Sequence, residues 1–426
     1  MKVFKFGGAS VNSVERIKNI ADILKQYEGQ KLVVIISAMG KTTNALEKVV
    51  EAFFKGKKEE ALQLFDQVKK QHLDTAKYLL VTNYLACERQ LTDFFTEVEW
   101  LLHDKPARHY DYYYDQVVCC GEMLSTCIVS YYLNETGIHN RWLDVRDIIR
   151  TDDNFRDAGI DWLITTEAVK QSVLPGFEQF DIVLTQGFVG STDENESTTL
   201  GREGSDYTAA VFTNILDAES QTIWKDVVSV MNADPKQFPD ARPIYELNYN
   251  EVIEMAYYGA QVIHPKTIKP LQNKGIPLYV KCFLDPSLQG THIHSQQLKN
   301  LPPIIVLKQH QVMMQMKTMD FSFIGDHHLE QLYHVFEKLK MKPNLTQNGA
   351  ISFICALDDH AEKIDQLAQE AASLFEVSVT KGLSLLTIRH YTPEYFDKLT
   401  GGKTILLRQQ TPETVQVLLK WENENA

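Results

Sequence analysis

The 426-residue chain carries only six cysteines, Cys87, Cys119, Cys120, Cys127, Cys282 and Cys355, and none stands in a CxxC pair. That excludes a disulfide-stapled small domain and the usual structural zinc sites, and reduced thiols are the expectation. Basic charge is in deficit: 43 Lys and Arg against 56 Asp and Glu give a formal net charge of −13. With no basic face to release phosphate counterions, nucleic acid is excluded as a general partner. No apolar run approaches membrane-spanning length, and Met1-Lys2-Val3-Phe4 is broken by Lys5 too soon for a signal peptide. No membrane partner and a cytoplasmic location are therefore expected. Two nucleotide-binding motifs are also missing. Gly40-Lys41-Thr42 looks like the tail of a P-loop, but its earlier glycine would fall on Ile35. No GxGxxG follows a strand with an acidic residue downstream.

What is present is a phosphate site of another design. Val3-Phe4-Lys5-Phe6 alternates like a strand and runs into Gly7-Gly8-Ala9-Ser10 and then a helix. Glycines let backbone amides approach an anion, the helix dipole stands behind them, and Lys5 adds a mobile charge. A buried strand with a tight turn and a snorkelling lysine is the plainer reading of the same residues. Asn12 with Glu15 fits a capping box, and Ile17, Ile20, Ala21 and Leu24 share one helix face. A second apolar strand, 32–36, ends in the polar turn Ser37 to Asn44, and strand ends of this kind bind ligands in open α/β sheets. The proline-free stretch 45–105 reads as helical, a further helix starts near Gln116, and strands recur over 179–187, 222–226 and 277–283. This alternation predicts an α/β fold with a largely parallel sheet sandwiched by helices.

So long a chain implies more than one core. Asp285-Pro286, Gly290 and Pro302-Pro303 mark a linker over 284–303. Beyond it the pattern shortens: strand 312–318, helix 328–339, strands near 344 and over 351–357, helix 361–374, strand 376–380. A strand over 383–389, a helix over 393–399, a strand over 404–408 and a helix over 412–421 follow. The expectation is a catalytic domain over 1–300 and a smaller α+β regulatory region over 301–426, with one complete βαββαβ unit and one abbreviated unit.

The most specific run is Gly201-Arg202-Glu203-Gly204-Ser205-Asp206-Tyr207, opening a helix. An arginine fork suits a carboxylate and a nearby aspartate suits an ammonium, so together they describe an amino-acid pocket. A surface turn pairing Arg202 with Glu203 is the alternative. Glu122, in Gly121-Glu122-Met123-Leu124-Ser125, sits among apolar helix positions and needs a cationic partner unless it faces solvent. Trp224-Lys225-Asp226-Val227 ends a strand before the loop Asn232 to Lys236. Asp226 and Asp234 suit Mg²⁺ or a base, or cap turns. His264-Pro265 reads as a structural turn.

These pieces, with Ser37-Ala38-Met39, Thr43-Asn44, Thr185-Gln186-Gly187-Phe188 and Gly259 to Pro265, resemble in order and spacing the aspartate kinases of the amino-acid kinase superfamily. The resemblance covers residues 1 to 300, and the remainder looks like that family's paired ACT domains. It implies ATP-dependent phosphorylation of the L-aspartate side-chain carboxylate to 4-phospho-L-aspartate, with Mg²⁺, as the first step toward lysine, threonine and methionine. Lys5 and Asp206 would be catalytic, with Lys5, Gly7 and Gly8 on the transferring phosphate. Ser37 and Thr43 would line the substrate pocket, Glu122 with Asp206 would take the ammonium, and Arg202 would clamp the α-carboxylate. Lys225, Asp226, Met231, Lys236 and Arg242 fall where the family contacts ATP, with Met231 where tyrosine is common and Arg242 where lysine is common. No metal ligand is assigned. A homodimer through the ACT-like region is expected because a small sheet with open edges is most simply completed by a second copy, and an amino-acid effector is expected there. Another carboxylate kinase on the same fold, or a silent amino-acid sensor, are the competing readings.

Overall fold

A computed structural model describes residues 1–260, 262–320 and 322–421, which divide into two compact units. The first comprises residues 1–230, 243–253 and 262–298. The second comprises residues 231–242 and 254–260 together with the described residues from 299 onward.

The first unit is built on an eight-stranded sheet in the order Glu246–Asn248, Thr291–His294, Leu278–Cys282, Ser220–Lys225, Lys2–Phe6, Leu32–Ile36, Ile182–Gln186, Asn140–Leu143. All neighbours are parallel except Leu278–Cys282 against Thr291–His294. The period of two sends alternate residues to opposite faces. Phe4, Phe6, Val34, Ile36, Leu184 and Trp224 meet helices Val14–Lys25, Thr42–Phe54, Lys58–Leu79, Tyr84–His103 and Cys120–Glu135. Val3, Val33, Ile35 and Val183 meet Trp162–Val173 and Gly204–Ile215 on the other face. Phe6, Ile36, Gln186 and Trp224 stand level in the register, so the loops that follow these four strands open at the same carboxyl edge. That edge is where ligands bind in open α/β sheets.

Several local expectations change. The first helix is capped by Ser13, whose Oγ accepts the Arg16 N–H at 3.3 Å, because Asn12 closes the short 3₁₀ turn over Gly8–Val11. The helix expected near Gln116 begins at Tyr110. Tyr110–Glu135 is, by length and composition, apolar enough to span a membrane, but 83% of its most apolar window is buried inside the protein. Thr291–His294, within the expected linker, is a strand of the large sheet.

The second unit holds a six-stranded antiparallel sheet in the order Leu345–Asn348, Ser352–Asp358, Ile304–Thr318, Phe375–Arg389, Thr414–Leu419, Ile405–Gln410. Val312, Met314 and Met316 pack under helices Asp326–Lys338 and Ala361–Ala371. Ile305, Leu307, Leu386 and Ile388 pack with Phe396 from helix Pro393–Thr400. Register shifts at Lys308, Gln311 and Met313 separate the two halves of the long strand, so one strand serves both repeats. The strands expected separately over 376–380 and 383–389 are therefore one. The segment expected as a helix over 412–421 is a strand, Thr414–Leu419. Its Thr-Val-Gln-Val alternation pairs with both neighbours and buries Val415, Val417 and Leu419.

Candidate active site

Lys5 shares its strand face with Val3, the face covered by helix Gly204–Ile215, and it reaches the first turn of that helix. Its Nζ lies 2.7 Å from Asp206 Oδ1, with side chains 12% and 4% exposed. Burial pushes the Asp206 carboxyl up, but Lys5 and Lys225 outweigh it and hold the group below its ordinary range. Beside this pair the first glycine loop meets the second strand's loop: Gly40 N–H donates to Gly8 O at 2.9 Å. A Cβ on Gly8 would stand 2.7 Å from Ala38 O, so glycine is required there. A Cβ on Gly187 would stand 2.5 Å from the Ser205 Cβ, which ties the fourth strand's loop to the same helix start.

Lys5, Gly8, Ser37, Thr43, Glu122, Arg202 and Asp206 line one cleft of about 430 Å³. Glu122 enters it from helix Cys120–Glu135. Its Oε1 accepts the Ala38 N–H at 3.4 Å and its buried Oε2 has no hydrogen-bond partner among the described residues. Burial pushes its carboxyl up to about 8 against the pull of the Ala38 amide, its own backbone amide and Lys5. A buried carboxylate oxygen without a partner is costly, and a ligand ammonium would offset that cost. Arg202 makes no ion pair among the described residues. Glu203 instead accepts the His264 N–H at 2.8 Å, so the expected alternative of an Arg202–Glu203 surface pair does not form. The Arg202 fork is thus available for a carboxylate.

Other sequence candidates lie elsewhere. Gly7 caps the 3₁₀ turn next to Lys5 without lining the cleft. Lys225 donates to Val262 O at 2.5 Å, and Asp226 takes Arg16 Nη1 at 2.8 Å. Met231, Lys236 and Arg242 belong to the second unit. His264 caps helix Pro265–Lys274, accepting the Lys266 N–H, as a structural turn should.

The cleft also contains Tyr114, Arg156, Phe188 and Glu203, which the sequence reading did not select for it. Arg156, Phe188 and Glu203 share one property: each is a non-glycine residue with positive φ, 72°, 71° and 55°. Side chains rarely adopt that conformation without compensation from surrounding structure. No local sequence signal marks it.

A protein cage of converging carboxylates for Mg²⁺ is not found among the described residues. Among the described residues, the one group of three carboxylate or imidazole side chains close enough to converge on an ion is Glu246, His292 and His294. Two imidazoles suit a transition metal better than this hard cation, which prefers oxygen and normally arrives on phosphates.

The amino acid kinase family model matches residues 1–282. Lysine-sensitive aspartokinase 3 of Escherichia coli is 30% identical over 397 residues, covering 91% of this chain and 86% of that protein. Chloroplastic aspartokinase 1 of Arabidopsis thaliana is 30% identical over 408 residues, with 91% and 70% covered. The crystal structure of E. coli aspartokinase III in complex with lysine and aspartate superposes with a TM-score of 0.82 at 26% identity, over 99% of this chain and 96% of that one. Its complex with aspartate and ADP gives 0.81 at 25% identity, over 98% and 96%.

Proposed function

The chain belongs to the amino acid kinase family and, within it, to the aspartokinases, and from that premise we propose how its cleft transfers the γ-phosphoryl group of ATP to the side-chain carboxylate of L-aspartate. One observation carries the reading: a partnerless buried carboxylate oxygen on Glu122, an arginine fork on Arg202 and the Lys5–Asp206 pair face one cleft. These are complements to an ammonium, a carboxylate and a phosphoryl group.

Glu122 receives the substrate ammonium with Asp206, Arg202 clamps the α-carboxylate, and Ser37 and Thr43 line the remaining wall. The attacking carboxylate is already ionised at neutral pH, so no general base is required. Catalysis is positioning plus stabilisation of charge on the phosphoryl oxygens. Lys5 supplies that charge, and Asp206 fixes its direction. Gly7 and Gly8 are assigned to the phosphate, and Lys225 and Asp226 to the nucleotide. Mg²⁺ bound by the nucleotide would neutralise phosphate charge. The product, 4-phospho-L-aspartate, opens the route to lysine, threonine and methionine.

Residues 301–426 are assigned as an ACT-like regulatory region with an amino-acid effector. Its sheet ends in two edge strands, Leu345–Asn348 and Ile405–Gln410, which supports a homodimer formed by a second copy. A single monomeric species of the full chain at micromolar concentration would contradict that.

The reaction is tested with purified protein, ATP and Mg²⁺, trapping acyl phosphate with hydroxylamine while following ADP. Aspartate should give the hydroxamate. Turnover with glutamate, acetylglutamate or UMP in its place would assign the cleft to a different member of the superfamily, and ADP release with none of them would favour the sensor reading.

A further inference from the structure

Arg156 reaches the cleft from a loop that is tied down on every side. Asp152 N–H donates to Gly159 O at 2.9 Å, and Asn154 Nδ2 donates to Asp157 O at 2.9 Å. Phe155 is buried against Tyr112. Lys266 Nζ holds Asp157 at 2.7 Å. Below it the buried Asp115 accepts the Arg156 N–H at 2.9 Å and binds both the N–H and the hydroxyl of Thr199. The outcome is an arginine fixed at φ 72°, where glycine is the natural occupant.

The guanidinium stacks 4.3 Å from the centre of the Tyr114 ring, itself a cleft residue. Its ion pairs are weak: Asp111 at 3.2 Å and Glu47 at 3.8 Å, with all three side chains well exposed. Such pairs contribute little in water and yield readily to a ligand carboxylate that the planar fork can bind through two parallel hydrogen bonds. Glu47 lies one helical turn beyond Thr43, so the guanidinium stands over the helix face that carries Thr43. Lys5 is committed to Asp206, which leaves Arg156 and Arg202 as the two guanidinium forks on the cleft.

We propose that Arg156 is a specificity-determining residue that binds the second carboxylate of a dicarboxylic amino acid, opposite Arg202. The proposal rests on the aspartate kinase reading of the cleft. A strained backbone held in place to present one cation is expected where the cation has a ligand.

Arg156→Gly tests this with two opposed readouts. Glycine relieves the positive φ, so the melting temperature should hold or rise, while calorimetric binding of aspartate should weaken by on the order of 10- to 100-fold, the loss typical of a charge-assisted contact. The KM for ATP should stay within about twofold, since the contact lies on the acceptor. Arg156→Lys, with charge but no fork, should fall between. Unchanged aspartate binding in Arg156→Gly, with the parent binding and turning over aspartate normally, overturns the proposal and leaves the kinase reading intact. A parent that binds no aspartate overturns both. A parent that binds aspartate without turnover refutes only the reaction, because the binding comparison still decides the role of Arg156.

Discussion

Lys5 and Asp206, two hundred residues apart in sequence, meet as a nearly buried ion pair 2.7 Å long at the junction of the first strand and helix Gly204–Ile215. Each residue makes the other tolerable. The lysine offsets the cost of an aspartate 4% exposed, and the aspartate keeps the lysine directed into the cleft.

Lys5→Ala should therefore affect both catalysis and stability. Turnover should fall about 10²- to 10³-fold, the usual loss of one preorganised charge partner. Stability should fall by about 3–5 kcal/mol because the nearly buried Asp206 charge loses its direct ion-pair partner. Denaturant unfolding and steady-state kinetics on the same preparation check both, and near-normal turnover would remove Lys5 from the mechanism.

Glu122 makes the aspartate affinity depend on pH. Burial raises its carboxyl to about 8, so a proton must leave before the group can pair with an ammonium. The KM for aspartate should fall roughly tenfold per unit as pH rises toward that value, then level off. Glu122→Gln should bind aspartate weakly with a flat profile over the same range. A parent profile as flat as the variant's would exclude Glu122 as the ammonium site.

Arg202→Lys should raise the KM for aspartate well before that for ATP, because a point charge cannot reproduce a bidentate fork on a carboxylate. An increase on the order of tenfold is expected from the loss of one charge-assisted hydrogen bond. Equal effects on both substrates would move Arg202 away from the acceptor.

Inhibition by lysine should be weak. Asn344, immediately before strand Leu345–Asn348 in the region assigned to the effector, offers a neutral amide rather than a carboxylate to an ammonium, and that amide is already engaged. It accepts from Lys308 at 2.8 Å and donates to Gln311 and Asp358, each at 2.8 Å. Lys342 adds like charge nearby in sequence. A titration of lysine into the kinase reaction decides the point: half-inhibition below millimolar concentration would show an effector site built from other residues.

The sequence alone determined what is encoded over a few neighbouring residues. Leu32–Ile36 and Ile182–Gln186 read as strands because every neighbour within each is buried, and Lys2–Phe6 because its apolar residues alternate around Lys5. Gly8 and the Gly201 to Asp206 run were legible because close approach and helix entry leave a mark on residue type. The tertiary structure decided what depends on register across the sheet: that Lys5 would meet Asp206, and that Glu122 would keep one oxygen unpaired. It also reversed local preference where packing outweighed it. Thr414–Leu419 became a strand between two partners, and Arg156, Phe188 and Glu203 were held at positive φ around the cleft. A left-handed arginine cannot be read from its neighbours, because its backbone energy is offset by Asp115, Tyr114 and Lys266, contacts that exist only once the chain has folded.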